Sequence, residues 1–154
     1  MNEGKGELKV AKIRDGVVID HIPVGKAGKC MSVLGLCKGV MIIGSNLPSG
    51  KYEKKDILKL ENLFPSENTL NMIALVAPNA TINIIRNSET VEKRKVKYPK
   101  EITGMIKCIN QKCATIGEKY LTSKFTIESV EPLKLRCKYC DKSLNEENVL
   151  TQLK

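Results

Sequence analysis

Apolar and polar positions alternate through LKVAKI (8–13), and the β-branched run VVIDHIP (17–23) stops at a proline. With RDG (14–16) turning between them, the pattern predicts an extended pair or one bent strand. KAGKCMSVLGLC (26–37) changes to helical spacing, with Ala27, Cys30, Met31, Leu34 and Cys37 on one apolar stripe. VMIIGSNL (40–47) opens on the apolar run VMII and reads as a strand of the buried type. After the turn PSG (48–50), KKDILKLENLF (54–64) alternates again, with Ile57, Lys59 and Glu61 on one face and Leu58 and Leu60 on the other. Ser66 has the position of an N-cap for a second helix carrying Leu70, Ile73, Ala74 and Ala77 on one face, and Pro78 stops it. TINIIRN (81–87) and ETVEKRKVKY (89–98) read as two further strands. The order is β-α-β-β-α-β plus one strand, which predicts an α+β fold with a ferredoxin-like βαββαβ N-terminal domain.

The pattern breaks at KVKYPKEITG (95–104), where a basic run, a proline and a glycine place a domain boundary near residue 100. The two predicted domains are 1–100 and 101–154. The second is too short to be held by apolar burial alone, and it contains CINQKC (108–113) and CKYC (137–140). Cys108, Cys113, Cys137 and Cys140 thus form C-x4-C and C-x2-C pairs. Tight pairs let two thiolates from one knuckle reach the same ion, and the β-rich stretch between them returns the second knuckle to complete a tetrahedron. The expectation is one closed, structural Zn2+ ion per chain in a small β-rich domain of zinc-ribbon or rubredoxin-like type. The alternatives are a rubredoxin-type iron site with the same ligands, disulfides, or unconnected buried thiols. Cys30 and Cys37, on the predicted first helix, read as core thiols.

Composition narrows the class further. The chain has 154 residues, 42% hydrophobic and 28% charged, and no apolar run approaches the length of a membrane helix. Its charged, glycine-bearing start lacks the apolar core of a secretory signal, and closely spaced cysteines suit a reducing compartment, so a cytoplasmic location is expected. Of the net charge of +9, +7 sits in the first part, where residues 1–100 hold 17 Lys/Arg against 10 Asp/Glu. That balance suggests a polyanionic partner, a nucleic acid or a small phosphorylated ligand, or simply a solvated basic surface.

No motif points to catalysis. His21 is the single histidine and has no second histidine or nucleophile near it in sequence, so it reads either as a ligand contact or as an internally bonded side chain. Lys55, Lys59, Lys93 and Lys95, with Arg94, fall on strands that can be neighbours, and such a cluster suits a triphosphate. Neither a Walker-type phosphate loop nor a dinucleotide fingerprint is present. A zinc-ribbon nucleic-acid-binding protein is the alternative class. Aromatic residues at 4% and the lack of tryptophan leave it few stacking platforms.

At VVIDHIP, SNLPSGKYEKKDILKLEN, ALVAPNATINII and the four cysteines, the chain resembles the aspartate carbamoyltransferase regulatory-chain family, from about residue 8 to about residue 150. The resemblance implies a non-catalytic regulatory subunit: 1–100 as a nucleotide-binding allosteric domain, and 101–154 as a zinc domain that contacts the catalytic chain. It implies CTP and ATP competing for one site, UTP strengthening inhibition, and control of de novo pyrimidine biosynthesis. By match of motif, Asp20 and His21 lie at the nucleotide, with Lys12, Ile13 and Val18 contributing backbone and apolar contacts. Lys59 and Lys93 hold base, ribose or phosphates, Asn83 and Ile85 line the base pocket, and Thr90 lies beside the ribose. Lys55 and Ser49 are candidates for a second nucleotide. Ser88 and Lys95 depart from the family's usual Tyr and Arg, removing a ring contact and a forked donor. The implied assembly joins two catalytic trimers with three regulatory homodimers, the regulatory chains of each homodimer meeting through their N-terminal domains, with neither membrane nor nucleic acid as a partner.

Overall fold

The structure, a computed structural model, describes residues 12–35, 37–50 and 53–153. The chain divides into two compact units, Met1–Val96 and Lys97–Lys154. In the first, the order is β1 (Gly16–Ile22), α1 (Ala27–Leu34), β2 (Met41–Ser49), β3 (Glu53–Glu61), α2 (Glu67–Val76), β4 (Thr81–Arg86) and β5 (Glu89–Lys95). They form one antiparallel sheet in the order β2-β3-β1-β4-β5, the ferredoxin-like arrangement with β5 added at one edge.

One face of this sheet is apolar because the strands alternate with period two. Val17, Ile19, Leu58, Leu60 and Ile82 are at most 1% exposed, beneath α1 with Cys30 and α2 with Leu70 and Ile73. Helix α2 starts where the sequence predicts, since Ser66 accepts the Thr69 N–H at 3.3 Å. Gly16 admits no other residue: its φ is +146°, and a Cβ there would lie 2.1 Å from the Leu60 carbonyl oxygen.

Three expectations are corrected. Residues 8–11 of the predicted first strand lie outside the described residues, and Lys12 and Ile13 lead into β1 without belonging to a strand. Helix α1 stops at Leu34 because Gly35 turns left-handed at φ 85°, so Cys37 falls beyond the helix while Cys30 remains in the core. Strand β2 is an edge strand, not a buried one, with Met41 40% and Ile43 49% exposed. A continuous apolar run does not distinguish the two.

Asp56 of β3 organises this end of the unit. It lies opposite register shifts in both neighbouring strands, between Ile19 and Ile22 of β1 and between Gly44 and Leu47 of β2. Its Oδ1 accepts the Asn46 N–H at 2.9 Å and the Ser45 hydroxyl at 3.0 Å; its Oδ2 accepts the Gly25 N–H at 2.9 Å and the Ala27 N–H at 3.4 Å. Helix α1 has no side-chain cap of its own at Lys26, so Asp56 supplies its N-terminal acceptor from another strand. Burial alone would raise the pKa of this carboxyl, but the hydrogen bonds from Asn46, Gly25, Ser45 and Ala27 outweigh it and hold the value below 3.8.

The second unit carries β6 (Glu101–Thr103), α3 (Ala114–Gly117), β7 (Lys124–Val130), β8 (Leu133–Cys137), β9 (Ser143–Asn145) and α4 (Glu146–Leu150). Its antiparallel sheet has the order β6-β7-β8-β9. The core is small, built on Phe125, Ile102, Ile106, Leu133, Leu135 and Leu144, all at most 2% exposed. Among the described residues of the chain, no helix is long and apolar enough to cross a membrane.

Replacing Asp56 by Ala is expected to cost roughly 2–4 kcal/mol, since the buried Ala27 N–H, the part-buried Gly25 and Asn46 N–H groups and the Ser45 hydroxyl all lose their acceptor. A group with a depressed folded pKa stabilises above its unfolded value and loses that contribution as pH falls through the folded one. Stability should therefore decline as pH drops below 3.8, and Asp56→Asn should flatten this acid limb in denaturant titrations of the two proteins.

Candidate functional site

The sheet face away from the helices is polar, and the ladder register decides what meets on it. Lys59 lies opposite Val18, Val18 opposite Asn83, and Asn83 opposite Lys93, so strands β3, β1, β4 and β5 contribute to one transverse row. The next row sets Asp20, Thr81 and Lys95 side by side. Ile85 and Thr90 pair at the far end, past a register shift in β4–β5.

Two cavities open along this face. The first, about 360 Å³, is lined by Lys12, Ile13, Val18, Lys59, Asn83, Ile85 and Thr90, joined by Ile57 and Ser88. The second, about 470 Å³, is basic and is lined by His21, Lys54, Lys55, Lys93 and Lys95, with Ser49, Asn79 and Thr81 among its polar groups and Glu53 as its carboxylate. Asn83 and Lys93 face each other across the ladder and line one cavity each, so the two adjoin. Seven of the ten residues singled out in sequence surround the first cavity, while His21 and Lys93 belong to the second. Asp20 lines neither; it holds Lys55 Nζ at 2.8 Å through Oδ1.

Local chemistry explains these positions. His21 sits in the β1 bulge at φ 59°, where its backbone N–H donates to Asp20 Oδ1 at 2.6 Å and its Nδ1 lies 3.2 Å from Thr81 Oγ1. Burial lowers the pKa of Lys59, and the charge of Lys12 adds to this, against the opposing pull of Asp20. The expected basic cluster loses one member. Arg94 alternates onto the helix side of β5, where it pairs with Glu67 of α2 at 2.6 Å and Glu92 at 3.3 Å. The sequence reading missed Ile57 and Thr81, although each lies two residues from a named residue on the same strand face, a signal that period two supplies.

In the second unit, the sulfur atoms of Cys108, Cys113, Cys137 and Cys140 all lie within 4.8 Å of one another. Cys108 and Cys140 are 3.5 Å apart and Cys113 and Cys137 3.7 Å, close to the edge of about 3.8 Å in a tetrahedral four-thiolate metal site and well beyond a disulfide bond. The donor set and its shape fit a metal ion. Burial pushes Cys108 up to about 12, and a cation bound by the cluster would favour its thiolate. Cys140 is also penalised by burial, but contacts from Asn110, the Lys142 N–H and the neighbouring thiols bring it down to about 7.

Residues 8–97 match the family model for the aspartate carbamoyltransferase regulatory chain, allosteric domain, and residues 100–150 match the model for the metal binding domain of the same chain. Proteins named aspartate carbamoyltransferase regulatory chain are similar over nearly their whole length. The Pyrococcus horikoshii relative is 50% identical over 151 residues, covering 96% of this chain and 99% of the relative. The Thermococcus kodakarensis relative is 47% identical over 149 residues, covering 95% and 97%. That of Thermoplasma volcanium is 48% identical over 145 residues, covering 92% and 95%.

The six cysteines are ordered in reactivity by these environments. In the metal-loaded folded chain, a chromogenic disulfide reagent should modify Cys37 alone; the four clustered thiols should follow when a chelator removes the metal. Cys30, fully buried and raised to about 12 chiefly by burial, should react last, on unfolding. Prompt modification of the cluster in the loaded chain would contradict this order.

Proposed function

This chain belongs to the family of aspartate carbamoyltransferase regulatory chains, and on that premise we propose that its N-terminal unit binds nucleoside triphosphates as allosteric effectors of pyrimidine biosynthesis. The chain is the non-catalytic, regulatory member of the enzyme. CTP and ATP compete for one site, and UTP strengthens inhibition by CTP. The observation that carries this reading is the pairing of a half-apolar cavity with an adjoining lysine-lined one on a single sheet face.

A base fits the first cavity, where Asn83 offers an amide that both donates and accepts and where Val18, Ile13 and Ile85 give apolar walls. Thr90 lies beside the ribose. The phosphates run towards His21 and Lys93, and Lys95 adds charge there without the fork of an arginine. Asp20 acts through Lys55, which it holds at the edge of the phosphate site. Lys55 and Ser49 remain the residues for a second nucleotide.

The metal we propose for the second unit is zinc, one ion per chain, in a structural role, since four thiolates in a closed tetrahedral set leave no open position for chemistry. Residues 101–154 then form a structural domain that contacts the catalytic chain. The exposed edge strand β2, with Met41 and Ile43 outward, suits pairing of two N-terminal domains (1–100) into a homodimer. Three such dimers join two catalytic trimers in the cytoplasm. A nucleotide that prefers one state of this assembly shifts the catalytic population by its difference in affinity, typically about 1–3 kcal/mol.

Equilibrium binding of CTP to the zinc-loaded chain tests the effector site, with ATP and a short mixed-sequence RNA as competitors. Saturable binding, displaced by ATP but not by RNA, is expected, and Lys59→Ala should weaken it roughly tenfold to a hundredfold through loss of a charge-assisted contact. Displacement by RNA would favour a nucleic-acid-binding protein instead. A mercurial that strips the zinc should free catalytic trimers from the holoenzyme; an assembly that stays whole after verified metal loss would falsify the interface role.

A further inference from the structure

Lys107 immediately precedes the first metal ligand, and one side chain takes both of its main-chain polar groups. The Lys107 N–H donates to Oε1 of Gln152 at 2.7 Å, and Nε2 of Gln152 donates to the Lys107 carbonyl at 2.9 Å. This is the two-bond pattern of an antiparallel strand pair, supplied here by an amide just beyond the last helix. Nε2 also donates to the Asn148 carbonyl at 3.1 Å, which fixes the orientation of the amide. On the other side, the Ser123 hydroxyl donates to the Ile106 carbonyl at 2.6 Å, and Ile106 is 1% exposed. The strap leading into Cys108 is therefore held from both sides.

The position of Gln152 in the chain adds to the point. Cys137 and Cys140 form the second knuckle; β9 and α4 follow directly, and α4 begins with a reciprocal Asn145–Asn148 capping box. Val149 at 0% and Leu153 at 4% exposure anchor α4 to the core on either side of Gln152. The amide thus joins the segment after the second knuckle to the segment before the first, a connection parallel to the one the metal makes.

We propose that Gln152 is a positioning residue for the metal site, acting through Lys107 to keep Cys108 aligned with the other three sulfurs and so to retard metal loss. The inference rests on the metal reading given above. Groups that orient metal ligands typically change metal affinity ten- to a hundredfold when removed.

Transfer of zinc from the intact loaded chain to a chromophoric chelator in excess is the test, for the unaltered protein, Gln152→Leu, Gln152→Glu and Thr151→Ala. Gln152→Leu keeps side-chain bulk just after α4 and removes both bonds to Lys107, so transfer should be about ten- to a hundredfold faster. Gln152→Glu retains an acceptor for the Lys107 N–H and should fall between; it carries the comparison alone if the leucine variant does not fold. Thr151→Ala removes a hydroxyl that bonds only to Glu147 and Asn148 within the same turn, and should leave the rate unchanged. Unchanged rates in both Gln152 variants overturn the proposal. Equal acceleration in Thr151→Ala does so too, by assigning the effect to a loosened helix. Failure of the unaltered chain to take up any metal would instead sink the metal reading, and this inference with it.

Discussion

Strand β1 is hydrogen-bonded on both sides, and the register of those two ladders underlies nearly every feature of the N-terminal unit. Because side chains alternate with period two, a slip of one residue against β3 would bring Leu58 to the polar face and Lys59 to the core. Burial of Val17, Ile19, Leu58 and Leu60 beneath the helices forbids that slip. The same constraint that builds the core thus lines up Lys59, Val18, Asn83 and Lys93 in one row on the opposite face. The packed core and the row that lines the two cavities are two faces of one register.

Two aspartates in this unit show how environment divides a shared chemistry. Asp56, 1% exposed, is satisfied by backbone N–H groups and a hydroxyl, and it reconciles two bulges with the start of a helix. Its charge is spent inside the fold. Asp20, on the polar face, pairs with Lys55 and receives the His21 N–H, so it orders the rim of a basic cavity without entering it. A carboxylate among lysines would oppose an anionic ligand; held by one of them, it instead fixes where the remaining positive charge lies.

The C-terminal unit meets a different limit. Its apolar core is small, and three of the four clustered cysteines, Cys108, Cys113 and Cys137, are buried beside it. Metal binding and folding are consequently coupled in this unit. Its polar connections, Ser123 to Ile106 and Gln152 to Lys107, converge on the strap before Cys108.

Much of this was legible in the sequence, for stated reasons. Alternation and helical spacing depend on neighbours a few residues apart, so strand faces, the Ser66 cap and the four-cysteine constellation could be read directly, as could most residues around the first cavity through the family resemblance. What could not be read were matters of position in three dimensions. An apolar run does not say whether its strand is central or at an edge, which is why β2 was expected to be buried. Period two puts Lys93 and Lys95 on one face of the basic run, but it does not say that Arg94, on the other face, pairs with Glu67 of α2. Asp56 carries no local mark at all, because its partners come from β2, the loop after β1 and the start of α1. By itself the sequence determined most elements of the first unit, their order and the four-cysteine donor set, all short-range properties of the chain. The tertiary structure decided which strand lies at the edge, which cavity each basic residue serves and which buried groups join distant segments, because these depend on contacts between residues that sequence separation hides.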